Sequence, residues 1–134
     1  MLKSTIESSE DYLESILVLQ NRKGMVRSID VAHDLNVSKP SVSVAMRKLR
    51  ESGCISVDAD GFLTLLPKGK EIAERIYERH TVFTSLLTSL GVDSRIAAED
   101  ACRIEHVISA ESFEAVKKQA SADGLLGPET EDAS

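Results

Sequence analysis

The sequence predicts a mainly α fold with one small β-hairpin near its middle. Apolar residues recur at three- and four-residue spacing along most of the 134 residues. The two runs with strand character, Cys54-Ile-Ser-Val and Phe62-Leu-Thr-Leu-Leu, flank Asp58-Ala-Asp-Gly61, and an Asp-Gly pair in that position signals a hairpin. Glycines at 24, 53 and 91 close the periodic stretches where helices should stop.

The first helix carries Tyr12, Ile16 and Leu19 at i, i+4, i+7, widened by Leu13 and Leu17, and ends near Lys23-Gly24. A short second helix fits Ser28 to Leu35 with Ile29, Ala32 and Leu35 inward, and Asn36-Val37 makes a tight turn. Ser38 is placed to cap a third helix, because its hydroxyl can accept from a first-turn amide, and Pro40 is tolerated where no amide donor is needed. In that helix Val42, Met46 and Leu49 share the inner face, and Gly53 ends it. A long helix begins at Pro67 with Ile72, Ile76, His80, Phe83, Leu87 and Leu90 in register. Asp93 caps a further helix through Ile108, with Ala97, Ala101, Ile104 and Ile108 on one face, and a last helix spans about Glu111 to Gln119 with Phe113 and Val116. From Ala120 to Ser134 the chain is small, polar and acidic apart from Leu125-Leu126, which predicts a disordered tail.

Charge is distributed unevenly. Between Arg22 and Arg50 seven basic residues (Arg22, Lys23, Arg27, Lys39, Arg47, Lys48, Arg50) face two acids (Asp30, Asp34), a local balance of +5 within a chain of net charge −6. The remainder therefore carries −11, the pattern of a protein that meets a polyanion with one face and does something else with the rest. Two helices joined by a short turn, the second opening on small polar residues and lined with basic ones, have the geometry of a helix-turn-helix, and the hairpin after it is a wing. Ser38, Lys39, Pro40, Ser41 and Val44 are the expected base-contact zone of duplex DNA, with Pro40 and Val44 suited to thymine methyls. Arg27, Arg47, Lys48 and Arg50 are suited to phosphates.

No apolar run is long enough for a transmembrane span and no signal peptide opens the chain, so a cytoplasmic location without membrane contact is expected. Cys54 and Cys102 do not make a disulfide framework, and either thiol could be a ligand. Glycine-rich phosphate cradles are absent, which sets nucleotide chemistry aside.

Six residues form a candidate metal set. Asp11 and Glu14 leave one face of the first helix; Cys102, Glu105 and His106, at i, i+3, i+4, leave one face of a later one; His80 lies on the long helix between. Carboxylate, imidazole and thiolate together suit a first-row divalent cation. Taken singly each has a plainer explanation: His80 as a hydrogen-bonded core histidine, Cys102 as a small buried hydrophobe, Asp11 and Glu14 as acids near a positive helix start.

At these residues the chain resembles the diphtheria toxin repressor and manganese transport regulator family of metal-dependent repressors, over roughly Thr5 to Ser109. Asp100-Ala-Cys-Arg-Ile-Glu-His-Val-Ile-Ser109 resembles the family's metal-binding helix, Glu10-Asp-Tyr-Leu-Glu14 its first-helix ligand segment, and Arg79-His80 the histidine of its dimerisation-side helix. The resemblance implies a winged helix-turn-helix domain over residues 1–66, a helical metal-binding and dimerisation domain over 67–120, and a tail over 121–134. It implies that Asp11, Glu14, His80, Cys102, Glu105 and His106 are ligands, and that a homodimer binds operator DNA when loaded, repressing metal-homeostasis genes. The pattern is a hybrid: both first-helix acids match the manganese branch, whereas Cys102 matches the iron-type branch. Thr84 and Ala98 stand where the iron-type branch has its ancillary ligands, so that site is expected to be absent; Cys102 replaces the glutamate that helps the manganese branch hold two ions, so a single ion per subunit is expected, and the short tail after Gln119 matches the short, two-domain form. The thiolate orders Fe²⁺ narrowly ahead of Mn²⁺, with Co²⁺, Ni²⁺ or Zn²⁺ accepted in vitro. Dimerisation is expected to use Ile96, Ile104, Ile108 and Phe113. Two other functions are weighed against this one: a winged-helix regulator sensing a small organic ligand, and a small metalloenzyme. The second is disfavoured because the ligands use nearly all the convergent polar residues and leave no separate general base.

Overall fold

The computed structural model describes residues 5–126. Along it run α1 (Thr5–Lys23), α2 (Ser28–Leu35), α3 (Lys39–Glu51), β1 (Ile55–Val57), β2 (Leu63–Leu65), α4 (Pro67–Ser89), α5 (Ser94–Val107) and α6 (Ala110–Ala122). The chain divides into two compact units inside α4, between Ile76 and Tyr77. The first ten residues of α4 thus belong with the winged helix, although the expected boundary lay at its first residue.

In the first unit the apolar stripes meet as expected. Leu13, Ile16, Val31, Val42, Ile55 and Ile76 are all at most 2% exposed, and burial of each contributes roughly 1.5–3 kcal/mol. In α2 the inward residues are Val31 and Ala32, while Ile29 is only half-buried. Asn36 ends α2 in the left-handed region at φ 54°, where an asparagine is tolerated because its short side chain adds little strain. Ser15, itself buried, donates to Asp34 Oδ2 at 2.7 Å and ties α1 to α2.

The start of α2 is set by charge. The Asp30 carboxylate accepts from the Arg27 amide at 2.8 Å and from Lys23 Nζ at 2.8 Å. The Lys23 ammonium beside it, then the Arg27 amide, hold the Asp30 carboxyl below its ordinary value of 3.8. A carboxyl depressed on folding contributes stability that is complete above the ordinary range and is lost as pH falls through the lowered value. Asp30→Asn is therefore expected to cost about 1 kcal/mol or less near neutral pH, since water screens the pair, and nothing once acid has protonated the wild type. Urea unfolding of both proteins from pH 7 to pH 3 checks this; a difference independent of pH would contradict it.

The hairpin pairs β1 antiparallel to β2, Ile55 with Leu65 and Val57 with Leu63. Asp58 Oδ1 accepts from the amides of Asp60 and Phe62, both at 2.9 Å, and Gly61 takes φ 85° to close the turn. An antiparallel bridge from Arg27 to Phe62, and a bond from the Leu63 amide to the Val26 carbonyl at 2.8 Å, add a further rung ahead of α2.

In the second unit Val82, Phe83, Ala101, Phe113 and Ala120 form a separate core, with Phe83 and Phe113 ring centroids 6.0 Å apart. Asp93 caps α5 as expected, its Oδ2 accepting from Arg95 at 3.2 Å. The inner face of α5 is Ala97, Ala101 and Glu105, while Ile104 and Ile108 pack only partly against the core. Three expectations are corrected. Leu90 is 71% exposed and lies off the stripe of α4. Phe113 is buried in its own unit and is not available to a second copy, whereas Tyr77, Leu90, Ile96 and Val107 are exposed apolar residues. The disordered tail does not begin at Ala120: α6 continues to Ala122, Gly124 turns the chain at φ 71°, and Leu125 and Leu126 pack on the second core. The rest of that tail lies outside the described residues.

Candidate nucleic-acid interface and metal centre

The face of α3 turned away from the core carries every base- and phosphate-contact residue expected of it. Ser38, Lys39, Pro40, Ser41, Val44, Arg47, Lys48 and Arg50 are exposed, and Val42, Met46 and Leu49 are buried behind them. Ser38 Oγ accepts from the Ser41 amide at 3.2 Å and donates to Ser41 Oγ at 2.8 Å, so these two hydroxyls hold the helix start as well as presenting it. A groove of about 480 Å³ runs along this face and is lined also by Ser8, Ser9 and Tyr12 of α1. Ser8 and Ser9 were not singled out in the sequence and Tyr12 was read there only as part of the apolar stripe, because a serine or tyrosine on an amphipathic helix carries no sign of which neighbour it will border. Arg27 is exposed but occupied: its guanidinium carbon sits 4.3 Å from the Phe62 ring centroid, a cation–π contact at the base of the wing. The wing tip bears Asp58 and Asp60, charges that repel phosphate, so it adds no positive charge to the basic face of α3.

Asp11 and Glu14 lie one turn apart on α1 in the first unit, both half-buried. The other four candidate ligands are in the second unit, and here the structure brings three of them together. His80 Nδ1 of α4 is 2.9 Å from Glu105 Oε1 of α5, and Cys102 Sγ is 3.7 Å from the same nitrogen. One donor atom from each of His80, Cys102 and Glu105 lies within 4.8 Å of the others. His106 Nε2 is 3.7 Å from Glu105 Oε2, with its side chain 2% exposed. Cys102 is exposed, which sets aside its reading as a small buried hydrophobe, whereas Cys54 is buried in the first core.

Glu105 is completely inaccessible to solvent. An ionised carboxylate taken out of water costs several kcal/mol, and proteins retain one there when a cation or a hydrogen-bond set compensates it. Metal–ligand bonds of roughly 2.0–2.3 Å place neighbouring donors some 3 to 4 Å apart, close to the 2.9 Å and 3.7 Å that separate His80 Nδ1 from Glu105 Oε1 and Cys102 Sγ. The donor set therefore fits a divalent transition metal. Behind it stands a residue the sequence did not mark for a role. Arg79 is 8% exposed, and its Nη1 donates to the carbonyls of Ile108 at 2.8 Å and Glu105 at 3.2 Å.

A winged helix-turn-helix joined to a helical unit with a buried carboxylate between imidazoles and a thiol defines a metal-dependent DNA-binding regulator. The chain belongs to the diphtheria toxin repressor and manganese transport regulator family. Residues 4–61 match the family model described as "Iron dependent repressor, N-terminal DNA binding domain", and residues 66–121 the one described as "Iron dependent repressor, metal binding and dimerisation domain". The chain is 34% identical over 113 residues to an uncharacterised HTH-type transcriptional regulator of Methanocaldococcus jannaschii, covering 83% of this chain and 90% of that protein. It is 36% identical over 109 residues to the transcriptional regulator MntR of Listeria welshimeri, covering 81% and 77%. Among solved structures, the manganese regulator SloR superposes with a TM-score of 0.76 at 27% identity, covering 84% of this chain and 53% of that one. IdeR of T. acidophilum gives 0.75 at 26% identity, covering 90% and 56%. The chain thus spans about half the length of these two solved proteins. Among the described residues no helix is long and apolar enough to cross a membrane.

Proposed function

We propose that this chain is a cytoplasmic repressor, not an enzyme, that binds operator DNA as a homodimer when loaded with Fe²⁺ or Mn²⁺. The observation that carries the proposal is the buried Glu105 carboxylate set between His80 and His106 beside Cys102. When bound, a divalent ion supplies positive charge to this desolvated carboxylate. Glu105, His80, Cys102 and His106 would hold it; Asp11 and Glu14 are added as ligands by the sequence resemblance. The exposed Cys102 thiol supports Fe²⁺ ahead of Mn²⁺, because thiolate favours the later metals, while relatives named as manganese regulators support Mn²⁺. Loading promotes DNA binding only if the DNA-competent arrangement holds the metal more tightly than the alternatives. The exposed Tyr77, Leu90, Ile96 and Val107 supply apolar surface for a second copy.

Mobility-shift assays under anaerobic conditions, with promoter fragments from the source genome and each metal in turn, test this. Affinity should rise with Fe²⁺ or Mn²⁺. Arg47→Glu should weaken binding roughly uniformly across sequences, and the slope of log affinity against log salt should become shallower by about 1 for each phosphate no longer neutralised. Equal affinity with and without metal would overturn the switch, and an Arg47→Glu protein that binds as tightly as the wild type would overturn α3 as the reading surface.

A further inference from the structure

Two consecutive residues of α4 grip the same residue of α5 from opposite ends. His80 Nδ1 meets the Glu105 carboxylate at 2.9 Å, and Arg79 Nη1 donates to the Glu105 main-chain carbonyl at 3.2 Å. The same Arg79 nitrogen donates to the Ile108 carbonyl at 2.8 Å, and the guanidinium carbon lies 5.4 Å from the centroid of the Phe113 ring of α6. The last carbonyls of a helix have no partner within it, so the C-terminal turn of α5, which bears Glu105 and His106, frays unless something donates to it. Arg79 is that donor. A guanidinium presents donors in a rigid planar fork, so one nitrogen can span two carbonyls while the plane rests on an aromatic face; an ammonium on a flexible stem does not reproduce this. Burying the cation is costly, and among the described residues its Nε has no hydrogen-bond partner. A leucine or methionine would fill this interior at less expense if packing were the sole requirement.

The geometry points to Arg79 as a positioning residue of the metal centre: it fixes the last turn of α5 so that the Glu105 carboxylate meets His80 in ligand register. This role rests on the metal-site assignment above. Arg79 touches no ion itself; it acts through the backbone of Glu105. Supporting residues of this kind change metal affinity by roughly 10- to 100-fold when removed.

The test is a Co²⁺ titration of the full chain under anaerobic conditions, reading the d–d absorption, in wild type, Arg79→Lys and Glu105→Gln, with the metal-free melting temperature measured beside it. Arg79→Lys retains the charge and loses the fork. It should bind Co²⁺ roughly 10- to 100-fold more weakly, with a shifted absorption envelope that reports altered ligand geometry. Should Arg79→Lys not fold, Arg79→Met takes its place with the same expected result. A variant that melts lower but keeps wild-type Co²⁺ affinity and spectrum would overturn the role of Arg79 and leave the metal centre standing. A wild type that shows no Co²⁺ spectrum sensitive to Glu105→Gln would overturn the metal centre, and Arg79's role with it.

Discussion

Glu105→Gln is expected to leave the metal-free protein at least as stable as the wild type while sharply reducing the rise in melting temperature that a divalent ion produces. Glu105 is fully buried, with His80 Nδ1 at 2.9 Å from one oxygen and His106 Nε2 at 3.7 Å from the other. An ionised carboxylate there carries a desolvation cost of several kcal/mol, which the neutral amide does not. Glutamine has the same shape and can still accept from one imidazole and donate to the other, so the packing around it is preserved. Its amide is a poor metal ligand, and affinity should fall at least about a hundredfold, the upper end of what loss of a mere supporting residue produces. At a free ion concentration one hundred times the wild-type Kd, the wild type gains about 2.7 kcal/mol from binding and a hundredfold weaker variant roughly 0.4 kcal/mol. Thermal melts with and without Mn²⁺ or Co²⁺ would show the two shifts diverge, and metal-stimulated DNA binding should disappear with the smaller one. An undiminished metal shift in Glu105→Gln would remove Glu105 from the ligand set.

The parts of this structure that were legible in the sequence are those fixed by local chemistry. α2 and α3 have the expected extents because Asn36 tolerates the left-handed turn, Ser38 caps and Pro40 needs no donor, all within a few residues of one another. The wing was legible in Asp58 to Gly61 for the same reason. What depends on distant partners was not. α4 keeps one helical period throughout, so nothing marks the point after Ile76 where it leaves one core and joins another. Leu125 and Leu126 looked like an isolated pair in a polar tail, and only the reversal at Gly124 returns them to the second core. The candidate ligand helix was legible as Cys102, Glu105 and His106 on one face, but the face does not say that Glu105 is sealed while Cys102 is open to solvent. The sequence gives Arg79 no local sign of a role, since its acceptors lie 26 and 29 residues away at the end of another helix.

Gly69→Ala reverses the sign that local propensity assigns to it. In an exposed helix interior, alanine is about 1 kcal/mol better than glycine. Gly69 sits in the first turn of α4 and is buried, and a Cβ built there would collide with the Cys54 carbonyl oxygen and lie 2.9 Å from its carbon. That carbonyl cannot retreat freely. It accepts from the Leu66 amide at 2.9 Å, and the Cys54 amide donates to the Leu49 carbonyl at 2.9 Å, so the backbone of Cys54 is held on both sides, between the end of α3 and the start of α4. The clash is backbone against backbone, and relief requires α4 to move off β1 or the hairpin to shift with it. Overpacking of this kind costs up to about 3 kcal/mol, and the steric term exceeds the propensity gain. Net destabilisation of about 2 kcal/mol corresponds to a fall of roughly 10 °C in a unit of this size. Lys70→Ala, one residue along and exposed, should stay within about 0.5 kcal/mol of wild type in the same urea titration. Because α3 and the wing share the peptide of Cys54 as an anchor, the alanine variant should also bind operator DNA more weakly at saturating metal. A Gly69→Ala protein as stable as wild type would show that α4 does not close on Cys54, and the coupling of wing, α3 and α4 through that peptide would fall with it.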